Sequence, residues 1–147
     1  MRLTLRTDYA LRVLIYVSLK GERLSTIPEI VTHFDVSKGH VMKVVHELGK
    51  RGYLETVRGK NGGLRLSRKP HQINVGAVVR DMEQELGVVG CLQGQEDFCR
   101  IQKHCALKGA LRDATNAFLA TLDRYTLEDL TKPRRPLMAF LDLEGAA

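Results

Sequence analysis

Apolar residues in the first fifty positions recur at three- and four-residue steps, the period of helices that bury one face. Tyr9, Leu11, Val13, Leu14, Val17 and Leu19 give a broad apolar face to one helix, with Thr7 or Asp8 as its N-terminal cap and Gly21 just past its end. A second, shorter helix is predicted from Ser25 or Thr26, with Pro28 in its first turn, Glu29 close behind, and Ile30, Val31 and Phe34 to bury. Asp35 and Val36 make a tight connection to Ser37, which caps a third helix ending around Gly49 or Gly52. Two short helices joined by such a turn form a helix-turn-helix unit.

The period then changes. Residues 53–58 and 64–66 are short β-prone runs, and Gly59, Lys60, Asn61, Gly62 and Gly63 between them supply Asn-Gly and Gly-Gly hairpin signals. A hairpin directly after a helix-turn-helix is a wing. Past Lys69 and Pro70 the pattern is helical again, with Val75, Val78, Val79 and Met82 inside a helix over residues 74–83. Leu107, Leu111, Ala114, Phe118, Leu122 and Tyr125 then recur over roughly five turns. A lone helix of that length exposes its apolar stripe, and the small preceding domain offers little surface to cover it. The pattern therefore predicts a dimerisation helix and a homodimer, with packing back onto its own domain as the competing arrangement. From Thr131 onward a weakly ordered extension is expected. The fold class is mainly α with a small β-wing: a winged helix-turn-helix domain at 1–70, a loop and dimerisation helix at 71–130, and a tail at 131–147.

A composition of 44% hydrophobic and 27% charged residues is that of a soluble globular chain. Charge adds more. Residues 1–70 carry 14 Lys and Arg against 6 Asp and Glu, a net +8, whereas residues 71–147 carry 9 against 11, a net −2. Positive charge confined to the winged segment is what a polyanion-binding face requires, although a solvated basic surface would give the same sum. Once Val41, Val44, Val45 and Leu48 are assigned to the core, the third helix leaves Ser37, Lys38, His40, Lys43 and Lys50 outside, several near the end that enters a major groove. Lys38 and Lys43 suit phosphates or guanine, and Ser37 suits a phosphate. The wing's tip is expected to carry Arg58, Lys60 and Arg65 around Asn61, Gly62 and Gly63, whose small bulk lets backbone approach a minor groove while the arginines enter it. Charge, position and turn chemistry agree on double-stranded DNA as the partner. No apolar run approaches the roughly 20 residues that cross a bilayer, and the start lacks a signal peptide's apolar segment, so a cytoplasmic protein is expected.

Cys91, Cys99 and Cys105 are the only cysteines, separated by seven and then five residues within one polar, glycine-containing stretch. An odd, clustered set reads as a metal site rather than a disulfide framework. Zinc uses the same ligands, so the spacing leaves it open, although the close Cys-x-x-Cys pairs usual at zinc sites are absent. No nucleophile and base pair, phosphate-binding loop or cofactor fingerprint accompanies the cysteines, which disfavours an enzyme; a zinc or iron-sulfur redox enzyme is the alternative of another class. The Gly59, Gly62, Gly63 run is followed by a strand, not by the helix a nucleotide loop needs.

The opening Met-Arg-Leu-Thr, the run from Thr7 through Asp8 to Arg12, the wing from Arg58 to Gly63, the Asn74-Val75-Gly76 segment and the late cysteines resemble the family of winged-helix regulators that includes IscR, over residues 1 to about 130. Within that family, the start and the cysteine spacing look most like its nitric-oxide-sensitive repressors. The resemblance implies that Cys91, Cys99 and Cys105 hold an iron-sulfur cluster, 4Fe-4S in preference to 2Fe-2S. Three cysteines leave one iron for another ligand, for which Asp8, His104, Glu96 and Asp97 are candidates; the family pattern favours Asp8, from the same or the partner chain. It further implies nitric oxide as the signal and derepression of detoxification genes as the response, with sensing of iron-sulfur supply or general oxidation as the alternative within the family.

Overall fold

The computed structural model describes residues 2–94 and 99–143. Helix α1, Leu5–Lys20, begins earlier than a Thr7 or Asp8 cap would place it. Its cap is Thr4, whose hydroxyl accepts the Thr7 N–H at 3.4 Å, so Thr7 is buried and Asp8 lies in the first turn, where the helix dipole favours a carboxylate. Thr4 is itself held by Glu83, 79 positions away, a partner that local sequence does not announce.

Helix α2, Ile27–Phe34, starts from Thr26, one of the two caps that the sequence offers, with a capping box between Thr26 and Glu29, and ends at Asp35 in the left-handed region, φ 49°. Lys20, whose side chain is only 9% exposed, closes an ion pair on Glu29 at 2.9 Å. Burial alone would raise the Glu29 pKa, but the Lys20 ammonium and the Thr26 donors outweigh it and hold the carboxyl below its ordinary value. Helix α3, Lys38–Lys50, buries Val41, Val44, Val45 and Leu48 against α1, at the spacing that the sequence predicts.

Strands β1, Leu54–Val57, and β2, Gly63–Leu66, pair antiparallel with Leu54 opposite Leu66 and Val57 opposite Gly63. The hairpin is tied to the segment before α2 by reciprocal backbone bonds, Ser25 N–H to Leu64 O at 3.0 Å and Leu64 N–H to Ser25 O at 2.7 Å. This tie demands glycine at 63. A Cβ there would stand 2.7 Å from the Ser25 carbonyl oxygen and 2.9 Å from Leu24 Cβ. Gly63→Ala is therefore expected to destabilise the fold by about 1–3 kcal/mol, read as a lower denaturant midpoint at constant slope. An unchanged midpoint would refute the close approach.

Helix α4, Val75–Met82, is capped by the Asn74 side chain, which accepts the Ala77 N–H at 2.9 Å. Helix α5, Ala106–Leu122, is followed by the short α6, Leu127–Leu130, and α7, Arg134–Phe140. One core runs through Leu14, Tyr16, Leu19, Ile30, Leu48, Ile73, Met82 and Leu127. Ile73 and Leu127 are brought together by the Leu127 N–H bond to Ile73 O at 2.8 Å.

The expectation for the C-terminal stretch changes. The C-terminal stretch is no loose extension as far as it is described: Leu137, Met138, Leu141 and Leu143 pack on the core, and Arg134 donates to Leu19 O at the end of α1 at 2.7 Å. An apolar spacing too short to register as amphipathic is stabilised here by a surface already formed by α1. Helix α5, by contrast, packs against α4 but buries only Leu119 fully and leaves Leu107 65% exposed. Among the described residues, no helix is long and apolar enough to cross a membrane.

Candidate nucleic-acid interface and thiol segment

Because Val41, Val44, Val45 and Leu48 face inward, helical periodicity turns Gly39, Lys43, His46 and Lys50 to the opposite side of α3. Ser37, Lys38, His40 and Lys43 are all exposed, and Ser37 makes no capping bond with its side chain although it occupies the cap position. His40 leans toward α1, its ring 6.1 Å from that of Tyr9, and shares with Lys43, Thr4, Arg6 and Tyr9 a groove of about 300 Å³. His46 and the half-exposed Met42 also lie on the outer side of α3, although neither is among the basic residues near the helix start. Their signal was the spacing: position 46 is three residues beyond Lys43 on the same face.

In the wing, Arg58, Lys60 and Asn61 are exposed around the turn. Gly62 and Gly63 are only partly so, and both have a packing reason to be glycine: a Cβ at Gly62 would meet the Val57 carbonyl oxygen at 2.3 Å. Arg65 is not at the tip. It lies in β2 directly across from Glu55 and donates two bonds to that carboxylate at 3.0 and 3.1 Å, holding the Glu55 pKa below its ordinary value. The register of the hairpin decides this, placing positions 55 and 65 opposite each other. Arg68 sits at the wing's base, its guanidinium 5.1 Å from the Tyr53 ring centroid and donating to Arg51 O at 3.2 Å. Tyr53 in turn donates to Asp81 of α4 at 2.6 Å, and burial followed by the Asp81 carboxylate pushes the phenol up to about 12.

The cysteines are all unbridged. Cys105 is the N-cap of α5 and its sulfur accepts the Lys108 N–H at 3.4 Å. Cys99 and Cys105 line one cavity of about 950 Å³ whose wall includes Arg100, Lys103, Lys108 and Arg112. Cys91 lies in a single 3₁₀ turn, Gly90–Leu92, and does not line that cavity. Convergence of the three is therefore not found: among the described residues no three His, Cys, Asp or Glu side chains gather. Asp8 is taken up by Arg12, with an ion-pair distance of 2.8 Å, and His104 is exposed at the end of the 3₁₀ turn Gln102–His104. Glu96 and Asp97 lie outside the described residues. The donor set fits an iron-sulfur group in its chemistry: three reduced thiols, two of them facing a cavity with a cationic wall suited to an anionic group, on segments outside long helices.

A helix-turn-helix with an exposed basic third helix, a wing, and an appended helix beyond a thiol segment defines a winged-helix DNA-binding regulator. The chain belongs to the Rrf2 family, described as an iron-dependent transcriptional regulator, which matches residues 3–133. It is 44% identical over 146 residues to the HTH-type transcriptional regulator NsrR of Bacillus subtilis (strain 168), covering 98% of this chain and 99% of that one. The NsrR of Geobacillus kaustophilus (strain HTA426) is 45% identical, with 96% and 97% covered. Among solved structures, CymR, the global cysteine regulator of B. subtilis, aligns with TM-score 0.69 at 25% identity, over 88% of this chain and 95% of that one. T. potens IscR aligns with TM-score 0.72 at 22% identity over 90% and 88%, a likeness of fold. The protein is a DNA-binding transcriptional regulator and not an enzyme.

Proposed function

We propose that the chain is a dimeric repressor that grips operator DNA with α3 and the wing, and that Cys91, Cys99 and Cys105 hold a 4Fe-4S cluster through which nitric oxide is sensed. The observation that carries this reading is the cavity shared by Cys99 and Cys105 at the N-terminus of α5, walled by Arg100, Lys103, Lys108 and Arg112. When bound, the cluster supplies iron that reacts avidly with nitric oxide, and three thiolate ligands leave one iron for a weaker oxygen donor. Asp8 is suited to that place because its partner is easily given up: the Arg12 pair is a half-exposed i,i+4 bridge of the kind worth about 0.3–0.5 kcal/mol. The apolar residues that α5 leaves exposed, Leu107 above all, supply the dimer contact, so that the two α3 helices address half-sites about one DNA turn apart. Residues 1–70 act as the DNA-binding domain, residues 71–130 as the cluster-binding loop and dimer helix, and the protein works in the cytoplasm.

The test compares operator affinity for cluster-loaded, cluster-free and nitric-oxide-treated protein purified without air, alongside iron, sulfide, zinc and absorbance measurements. The expected result is a brown protein with matched iron and sulfide, tight operator binding, and a large loss of affinity on bleaching by nitric oxide. Equal affinity in all three states would refute sensing, and a colourless protein with one zinc per chain would replace the cluster by a structural zinc.

A further inference from the structure

Three consecutive residues at the end of α4 hold the DNA-binding face from two sides. On one side, Glu83 accepts the Thr4 N–H at 2.7 Å and the Thr4 hydroxyl at 3.1 Å, placing a carboxylate at the N-terminus of α1. Reciprocally, Arg6 of α1 donates Nε to the Met82 carbonyl at 3.0 Å, and its terminal nitrogen donates to the same oxygen, placing a guanidinium at the C-terminus of α4. Each helix thus caps the other with the charge its dipole favours. On the other side, Asp81 accepts from Tyr53 at 2.6 Å at the start of the wing and pairs with Arg51 at 3.3 Å just past α3.

The position of this joint gives it a role beyond stapling. Immediately after Glu83 the chain enters the segment that leads to Cys91, and a cavity of about 430 Å³ joins Leu3 and Thr4 to Leu86 and Val88 of that segment and to Phe118 of α5. On its other flank, Thr4 and Arg6 border the groove that contains His40 and Lys43 of α3. Any rearrangement of residues 84–91 pulls on Glu83, and Glu83 is bonded to the residue that starts α1. Neither end of the route needs to touch the other. We infer that Arg6 and Glu83 are positioning residues that carry the state of the cysteine segment to the recognition helix, an inference that rests on the cluster-sensing reading above and names the route by which it reaches DNA.

The experiment measures the ratio of operator affinities, cluster-loaded over cluster-free, for the wild type, Glu83→Ala, Glu83→Gln and Arg6→Gln, with cluster content read by absorbance and Thr4 amide exchange read in the cluster-free proteins. Glu83→Ala is expected to keep its cluster spectrum, speed Thr4 exchange at least tenfold, and bring the affinity ratio at least tenfold closer to one. Glu83→Gln, whose amide oxygen accepts the same two bonds, is expected to restore most of the ratio. Arg6→Gln probes the reciprocal bond and keeps the idea testable should Glu83→Ala fail to fold; a reduced ratio is expected there too. A wild-type ratio retained in Glu83→Ala or in Arg6→Gln overturns the route alone. A wild type with a ratio of one overturns the sensing reading and the route with it.

Discussion

Cys105→Ala is expected to remove iron binding altogether while leaving a folded chain. The argument rests on how little the fold asks of this thiol. It is part-exposed, lies outside the core cluster, and its sulfur accepts the Lys108 N–H at 3.4 Å. Losing that cap costs about 0.5–2 kcal/mol, a small part of the stability of a domain this size. Losing a thiolate ligand costs the site, because beyond Cys99 the described cavity wall offers cations and the Gln102 amide. The measurement is iron and sulfide content after anaerobic reconstitution, with thermal unfolding as control. A variant that unfolds instead would make metal binding part of the folding free energy and argue for structural zinc. A variant that keeps full iron content would remove Cys105 from the ligand set.

Lys43→Ala and Arg58→Ala together are expected to weaken operator binding by one to two orders of magnitude without changing metal content. Lys43 projects from the outer face of α3 and Arg58 from the start of the wing turn; both are exposed, so neither substitution disturbs packing. If each neutralises one phosphate, each loss reduces the dependence of log affinity on log salt by about 0.9. If Arg58 instead reads a base edge or a narrow minor groove, its loss costs about 1–3 kcal/mol and relaxes sequence preference as well. Titration of labelled operator at three salt concentrations separates these cases. Affinity unchanged in the double variant would remove α3 and the wing tip from the DNA face. Arg65→Ala should have the smaller effect, since its guanidinium is already committed to Glu55 within the hairpin.

The winged-helix architecture was legible in the sequence because its signals are local. The start at Ser25 or Thr26 with Glu29 close behind, the inward spacing of Val41, Val44, Val45 and Leu48, and the glycines of the wing turn each act within a few residues. The helical period of α5 was legible for the same reason, since a period is a property of one helix. The thiol segment could be recognised by type and spacing, but spacing in sequence does not fix distance in space, and Cys91 stands outside the cavity that Cys99 and Cys105 share.

What the sequence by itself determined is therefore the identity of the elements up to α5, the basic charge of the winged segment and the set of thiols. The tertiary structure decided where those elements begin and what they touch. Thr4 rather than Thr7 starts α1 because Glu83 holds it, and Arg65 turns to Glu55 because the strand register puts them opposite. The C-terminal segment folds because α1 ends in a carbonyl that Arg134 can reach. Each of these contacts joins residues far apart along the chain or across a ladder, and their free energy appears only after the core has brought the partners together, so no periodicity along the chain encodes them.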